Sequence, residues 1–344
     1  MKKQAVLAVL PFLLLLLPLS CRRDGGTPGR GIPAGKTLPA QSWEALGTVC
    51  TVNAFDEGNE SLYGEISARL MEIDSSFGVN RPGSDIARIN AAAGTDSIAV
   101  RPDVFFVIKT ALGFAERSGG AFDPTIGPLV SLWGIGTDHQ KVPSQAEIDA
   151  ALALVDWRKV TLEESGRSVF LEKEGMALDL GGIAKGYAAD ELVRILKERN
   201  VSRAVIDLGG NVCVFGSKAD GSAWKVGIKN PGDGGKTVAA VLSLPGGLSV
   251  VTSGNYERYF VSGGRRYHHI IDPKTGCPGG GDVASATIVA ASSMEADAMS
   301  TSAFLMGRDN FLRAFPGTQC VFISSDGSIS ASEEIAPGVS QRNP

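Results

Sequence analysis

Residues 179–190, Asp-Leu-Gly-Gly-Ile-Ala-Lys-Gly-Tyr-Ala-Ala-Asp, constrain the fold more than any other segment of this chain. The surrounding apolar pattern predicts a short buried strand at 176–178, a tight turn and then a helix. Gly181 and Gly182 have no Cβ and would let backbone approach a ligand closely. Lys185 would stand in the first helical turn, where unpaired N–H groups favour a phosphate. A structural turn without a ligand explains the same pattern, so these residues alone leave both interpretations open.

The overall composition indicates a globular protein. The chain has 344 residues, enough for one large or two modest domains with a substantial core. Its net charge is −4 with three histidines, and no basic stripe is present that would hold nucleic acid electrostatically. We therefore expect no nucleic-acid partner.

The N-terminus is predicted to be a targeting segment. Lys2 and Lys3 precede an apolar run over 5–19, which is too short and too abruptly ended for a comfortable transmembrane helix. Residues 1–20 are therefore predicted to be a signal peptide. Ser20-Cys21 resembles a lipoprotein processing site, although Pro18 stands where leucine is usual, and a plain secretory signal is the alternative. A lipid on Cys21 would anchor the protein to a bacterial membrane, with residues 21–40 as a flexible tether.

Four further cysteines lie in the mature region, and no two of them form a CxxC pair. Cys50, Cys213 and Cys320 stand beside valines in strand-like runs, which is typical of small buried apolar residues rather than metal ligands. Export permits disulfides, but the sequence does not determine whether any of these cysteines pair.

The order of predicted elements indicates an α+β fold with mixed or antiparallel sheets flanked by helices. Helices are predicted at 62–77, 102–118, 144–155, after the glycine turn and at 295–306. Strands are predicted at 47–55, 204–207, 238–244 and 320–324, with hairpins at 159–171 and around 263–264. Because strands and helices do not alternate regularly, this order argues against a doubly wound parallel sheet.

A second candidate site surrounds the predicted hairpin at 263–264. The segments that flank it would bring His269 and Asp272 near Ser253 and Gly254. A proton acceptor, an acid and hydroxyl or backbone donors would then lie together, as acid–base catalysis requires. A lone histidine is more often structural, and that alternative stays open. His268 is a weaker candidate for the catalytic base than His269, because neighbouring residues of a strand point to opposite faces of the sheet.

A carboxylate and a hydroxyl are predicted to share one face of the late helix. Asp297 and Thr301 are four residues apart, and no Cys or His is nearby. Oxygen donors of this kind suit a hard cation such as Mg²⁺. The alternative is that Asp297 merely complements the positive end of its helix.

Taken in order, these segments resemble the ApbE family, the FAD:protein FMN transferases. The resemblance runs from about residue 47 to 307. The motifs that carry it are Gly47-Thr48, 84–90, 120–125 with Trp133-Gly134, 179–190, 252–254, 269–276, and 296–297 with Thr301. It implies a fold related to the T-fold over residues 41–335, export to the periplasmic side and frequent lipid anchoring. It also implies Mg²⁺-dependent transfer of FMN from FAD to a Thr or Ser hydroxyl of a partner protein, often a redox subunit, with release of AMP.

The resemblance also implies roles for individual residues. Asp297, Thr301 and the carbonyl of Gly182 would bind Mg²⁺, while His269, with Asp272 nearby, would activate the acceptor hydroxyl. The residues implied to bind or line FAD are Leu46, Asn80, Ala121, Phe122, Asp123, Asp179, Lys185, Ser253, Gly254 and Ile271.

Asn80 departs from the family pattern, because relatives commonly carry an aromatic residue there. An aromatic ring could stack on the cofactor, a contact worth about 1 kcal/mol beyond burial, and asparagine cannot supply it. FAD could then be more exposed to water, which makes FAD pyrophosphatase activity, yielding FMN and AMP, an alternative. A flavin-binding lipoprotein without enzymatic activity is the alternative hypothesis from a different functional class. The acceptor protein, the metal used in the cell and the oligomeric state are not determined by the sequence.

Overall fold

The computed structural model describes residues 37–341 of the chain. The predicted signal peptide, Cys21 and the tether up to residue 36 lie outside the described residues. Leu38, near the predicted end of the tether, already packs against the core and donates its amide to Gly58 O at 2.8 Å. Within the described part of the chain, no helix is both long and apolar enough to cross a membrane.

Sixteen strands form in this range. They are β1 (Gln41–Ala45), β2 (Thr48–Asn53), β3 (Ile98–Ala99), β4 (Val160–Glu163), β5 (Ser168–Leu171), β6 (Arg203–Leu208), β7 (Asn211–Gly216), β8 (Trp224–Lys229), β9 (Val238–Leu244), β10 (Leu248–Gly254), β11 (Tyr259–Ser262), β12 (Arg265–His268), β13 (Val283–Ala290), β14 (Gln319–Ser324), β15 (Ile329–Ala331) and β16 (Val339–Gln341). Eight of them make one antiparallel sheet in the order β1-β2-β6-β7-β10-β13-β14-β15. The other sheets are β16-β9-β8, β3-β5-β4 and the hairpin β11-β12.

Eight helices form in the same range. They are α1 (Glu60–Phe77), α2 (Asp85–Ala91), α3 (Pro102–Arg117), α4 (Gly127–Trp133), α5 (Gln145–Leu152), α6 (Ala184–Glu198), α7 (Ser293–Met306) and α8 (Arg308–Ala314). These helices and sheets confirm the predicted α+β class. The predicted helices at 62–77, 102–118 and 295–306 are also confirmed, with ends shifted by two residues or fewer.

The large sheet is the middle of three layers, because successive strand residues point to opposite faces. On β10, Val251 faces the core beneath the helices, whereas Val250 faces the sheet β16-β9-β8. On β13, Ile288 and Val289 divide in the same way. Both faces of the large sheet are therefore buried, and α6 and α7 pack on one of them.

One of two early strand predictions was confirmed, and the other was wrong. The predicted strand at 47–55 is the second strand of a hairpin, whose turn places Leu46 and Gly47 at φ +53° and +68°. Residues 176–178 form no strand, and Ala177 makes only an isolated parallel bridge to Ile126. Short apolar runs do not reveal whether a partner strand lies beside them, which explains the error at 176–178.

The folded body extends past residue 335, the predicted end of the domain, because β16 pairs antiparallel with β9. The four cysteines of the described range are free. Cys50, Cys213 and Cys320 are buried, in agreement with their prediction as small apolar core residues.

Candidate functional site

The turn before α6 is held by hydrogen bonds from distant parts of the chain. Asp179 donates its amide to Pro124 O at 2.8 Å, and its Oδ1 accepts from Gly181 N at 2.8 Å. The Asn90 side chain accepts from Leu178 N at 2.7 Å and donates to Leu178 O at 3.0 Å. The glycine pair is therefore fixed in place without the strand that the sequence predicts before it.

Asp297 of α7 lies directly against the start of α6. Its side chain is buried, and its Oδ2 accepts from Gly186 N at 2.9 Å. Lys185 Nζ lies 3.5 Å from Asp297 Oδ1 and donates to Gly181 O at 2.9 Å. The structure thus joins the two motifs that the sequence separates by more than 100 residues.

Thr301, one turn further along α7, faces Gly182. A Cβ placed on Gly182 would lie 3.3 Å from Thr301 Oγ1 and 3.1 Å from Phe122 Cε2. Ser253 Oγ lies 2.8 Å from Ser300 Oγ and 3.4 Å from Thr301 Oγ1. A side chain at this position would press against Phe122 and Thr301, so the absence of a Cβ on Gly182 favours the close approach of the turn to α7.

These oxygen atoms fit a hard cation. Asp297 Oδ1 accepts no hydrogen bond from the described residues and lies 3.5 Å from Lys185 Nζ. The hydroxyl of Thr301 lies one turn further along α7, beside Gly182. Residues 37–341 contain no group of three or more His, Cys, Asp or Glu side chains placed to hold a metal ion. A cation here would therefore have one carboxylate and neutral oxygen ligands, a set typical of Mg²⁺ with substrate phosphates completing the shell.

His269 follows β12 and is half-buried. Its Nδ1 lies 3.3 Å from Arg258 O, to which its amide also donates at 3.1 Å. Burial lowers the pKa of His269 to about 3, and the positive charges of Arg258 and, more weakly, Lys185 act in the same direction. The imidazole is therefore neutral at physiological pH and has a lone pair available to accept a hydrogen bond or proton.

Asp272 makes its hydrogen bonds within its own turn. Its Oδ1 accepts from Lys274 N at 2.8 Å, and its carbonyl accepts from the amides of Thr275 and Gly276. Among the described residues, no hydrogen bond links Asp272 with His269. The carboxylate stabilises a turn, and its catalytic role stays a prediction.

Asp123 also has an internal structural role. Its carboxylate accepts from Thr125 N at 2.8 Å, Thr125 Oγ1 at 2.6 Å and Trp157 N at 3.3 Å. Burial raises the pKa of Asp123, while these hydrogen bonds act against that shift. The side chain thus shapes its loop, and its contact with FAD stays a prediction.

The other residues predicted to line the flavin site lie in several parts of the fold. Leu46 occupies the β1–β2 turn and donates its amide to Asp74 Oδ1 at 2.8 Å, while Asn80 is exposed after α1. Gly254 ends β10 against the ring of Tyr256. Ile271 is buried in the cluster around Trp133. Ala121 is buried beside Phe122, whose ring approaches Gly182.

Two residues that organise the site were not among those predicted. Gly186 contacts α7 without room for a side chain, because an added Cβ would lie 2.3 Å from Ser293 O. Asp190 accepts hydrogen bonds from Ser293 N at 2.7 Å and Met294 N at 3.0 Å. Their four-residue spacing on one helix face is the sequence signal that could have identified them.

Comparisons with known proteins agree with this architecture. The model of the ApbE family matches residues 46–322. An FAD:protein FMN transferase of Treponema pallidum is 38% identical over 314 residues, which cover 86% of each chain. One of Klebsiella pneumoniae is 37% identical over 274 residues, which cover 79% of this chain and 84% of the relative.

Solved structures are similar over nearly their whole length. The ApbE protein of Thermotoga maritima has a TM-score of 0.79 and 35% identity, with 88% of this chain and 99% of that chain covered. The flavin transferase ApbE of Vibrio cholerae has a TM-score of 0.78 and 28% identity, with 87% and 98% covered. With its glycine turn, α6 and α7 in the arrangement described above, the chain belongs to the ApbE family.

Proposed function

We propose that this protein is an FAD:protein FMN transferase, which moves FMN from FAD to a Thr or Ser hydroxyl of a partner protein and releases AMP. The observation that carries this proposal is the contact between the turn of Gly182 and Lys185 and the helix α7, where Lys185 faces Asp297 and Gly182 faces Thr301. The activity of the Treponema and Klebsiella relatives, as their names state it, supports the same assignment.

Mg²⁺ is the metal that we propose for this site. Asp297, Thr301 and the carbonyl of Gly182 would hold it, and when bound it would neutralise pyrophosphate charge and stabilise the departing AMP. The Lys185 ammonium, 3.5 Å from Asp297 Oδ1, adds fixed positive charge beside the same phosphates.

The transfer needs no nucleophile from this protein. The acceptor hydroxyl oxygen forms a bond to the FMN phosphorus, the bond from that phosphorus to the bridging oxygen breaks, and AMP leaves with the bond electrons. The hydroxyl proton must be removed, and neutral His269 is the residue that we propose to accept it. Its low pKa makes it a weak base, so it would act late, as the hydroxyl becomes acidic on bonding to phosphorus.

FAD hydrolysis is the second candidate activity, and the exposed Asn80 favours it. Water would then replace the acceptor hydroxyl at the same phosphorus. Incubation of the mature protein with FAD, Mg²⁺ and a candidate acceptor tests both activities, with AMP measured by chromatography and covalent flavin by in-gel fluorescence. Fluorescent acceptor together with AMP supports transfer, whereas AMP and free FMN alone leave hydrolysis. No AMP under either condition would leave only a flavin-binding protein.

We also propose that the protein is exported and lipid-anchored through Cys21 on the periplasmic side of a bacterial membrane. The basic start, the short apolar run and Ser20-Cys21 support this location. Metabolic labelling with an alkyne fatty acid should mark the wild-type chain and not Cys21→Ala. Equal labelling of both would refute the anchor.

A further inference from the structure

Asp190 links α6 to the first turn of α7. Its Oδ1 accepts from Ser293 N at 2.7 Å, and its Oδ2 accepts from Ser292 Oγ at 2.8 Å and from Met294 N at 3.0 Å. These amides are among the groups that a helix N-terminus leaves without partners inside the helix. Asp190 therefore binds the start of α7 from a neighbouring helix.

The helix α7 already has a capping residue of its own. Ser292 is the N-cap, and its Oγ accepts from Glu295 N at 3.2 Å. Capping of Glu295 N is therefore supplied locally, and the Asp190 carboxylate adds bonds to two other amides from across the helix interface. Its contribution is to the placement of α7 against α6 as well as to the stability of the helix end.

A second connection lies one turn away on α6. Gly186, four residues before Asp190, donates its amide to Asp297 Oδ2 at 2.9 Å and packs against the backbone of Ser293. The two helices are thus joined in both directions, with a carboxylate of each accepting from backbone amides of the other. The same short stretch carries Lys185 on α6 and two of the proposed metal ligands, Asp297 and Thr301, on α7.

We propose that Asp190 is a positioning residue for the metal site, because it sets the distance between Gly182 on the α6 side and Asp297 and Thr301 on the α7 side. This inference rests on the proposed function, since it takes the site to bind a divalent cation. Loss of the Asp190 bonds would let the first turn of α7 move away from α6. The ligands would then no longer converge, although each of them is still present.

The test measures metal affinity directly on the mature protein. Mn²⁺ is titrated and followed by electron paramagnetic resonance, with ADP present to supply a pyrophosphate that carries no flavin. Asp190→Ala should weaken Mn²⁺ binding by about tenfold, the low end for residues that orient metal ligands. Asp190→Asn should lie between it and the wild type, because one acceptor oxygen remains. Amide exchange at residues 293 and 294 should be faster in both variants.

Asn59→Ala is the matched control. Asn59 caps α1 through a 3.0 Å bond from Leu62 N, and α1 carries none of the proposed metal ligands. This variant should lower the Tm without changing Mn²⁺ affinity. If Asp190→Ala behaves like it, with lower Tm and unchanged Mn²⁺ affinity, the positioning role is overturned.

Further outcomes separate this inference from the proposed function. Should Asp190→Ala fail to fold, Asp190→Asn decides, and wild-type affinity in that variant overturns the role. If the wild type binds Mn²⁺ and loses affinity on substitution of Asp190, yet transfers no FMN, the proposed function fails and the positioning role stands. Absence of Mn²⁺ binding by the wild type overturns both.

Discussion

Replacement of Asp297 by asparagine is the sharpest test of the site, because it removes the charge and keeps the shape. Asparagine retains an oxygen that can accept from Gly186 N, the bond that Asp297 Oδ2 makes at 2.9 Å. It cannot supply the anionic oxygen that lies 3.5 Å from Lys185 Nζ. Folding and metal binding should therefore respond differently to this substitution.

The expected magnitudes follow from these contacts. Asp297→Ala leaves the buried Gly186 amide without its partner, which costs about 1–3 kcal/mol of stability. In Asp297→Asn that cost should be mostly avoided. For catalysis, loss of the only carboxylate ligand should remove about 3–4 kcal/mol of transition-state stabilisation, which corresponds to about 100- to 1000-fold in turnover.

Urea unfolding and AMP release from FAD, measured over a range of Mg²⁺ concentrations, separate the two effects. Asp297→Asn should unfold near the wild-type midpoint, release AMP at least 100-fold more slowly and recover partly at high Mg²⁺. Asp309→Asn, at an exposed acid on α8, is the control and should match the wild type in both assays. If Asp297→Asn turns over within about threefold of the wild type, Asp297 is not a metal ligand and the reasoning fails.

Two further predictions concern packing and pH. Gly186→Ala should lower the free energy of unfolding by about 1–3 kcal/mol or more, because its Cβ would lie 2.3 Å from Ser293 O. Gly64→Ala, at a helix position with nothing within 4 Å of the added Cβ, should raise the free energy of unfolding by about 0.5–1 kcal/mol. Similar urea midpoints for Gly186→Ala and Gly64→Ala would contradict the close contact of Gly186 with α7. Burial lowers the pKa of His268 from 6.5 to about 4, so the unfolded chain binds a proton that the folded protein does not. The contribution of His268 to stability is full above pH 6.5 and is lost as the pH falls towards 4. His268→Gln should therefore reduce the dependence of Tm on pH in this range. An equal pH dependence of Tm in the variant and the wild type would refute this role of His268.

Much of the fold was predictable because the relevant signals are local. The 3.6-residue spacing predicts α1, and Pro102 with Gly119-Gly120 marks the ends of α3. The glycines at 263–264 predict the hairpin of β11 and β12. The edge of the large sheet, where β1 and β2 lie, was less predictable. The β1–β2 turn requires Leu46 at φ +53°, a conformation that the residue type does not signal.

The candidate site was also predictable only in part. Its motifs were recognisable from the sequence, since each is a short run of characteristic residues, and the comparisons confirm the family. The sequence did not show which carboxylates already accept hydrogen bonds from nearby backbone amides. Asp123 and Asp272 resemble Asp297 as isolated acids in the sequence. In the structure, Asp123 accepts from the amides of Thr125 and Trp157, and Asp272 accepts from the amide of Lys274.

The sequence by itself determined the family, the class of fold and the order of the motifs, because residue periodicity and glycine spacing act over a few neighbouring positions. Only the tertiary structure decided that Asp297 accepts from Gly186, that Asp190 binds the first turn of α7, and that Asp272 accepts from Lys274 in its own turn. The contacts of Asp297 and Asp190 join residues more than 100 positions apart. They depend on how closely two helices can pack, which is a property of the whole buried interface rather than of either segment.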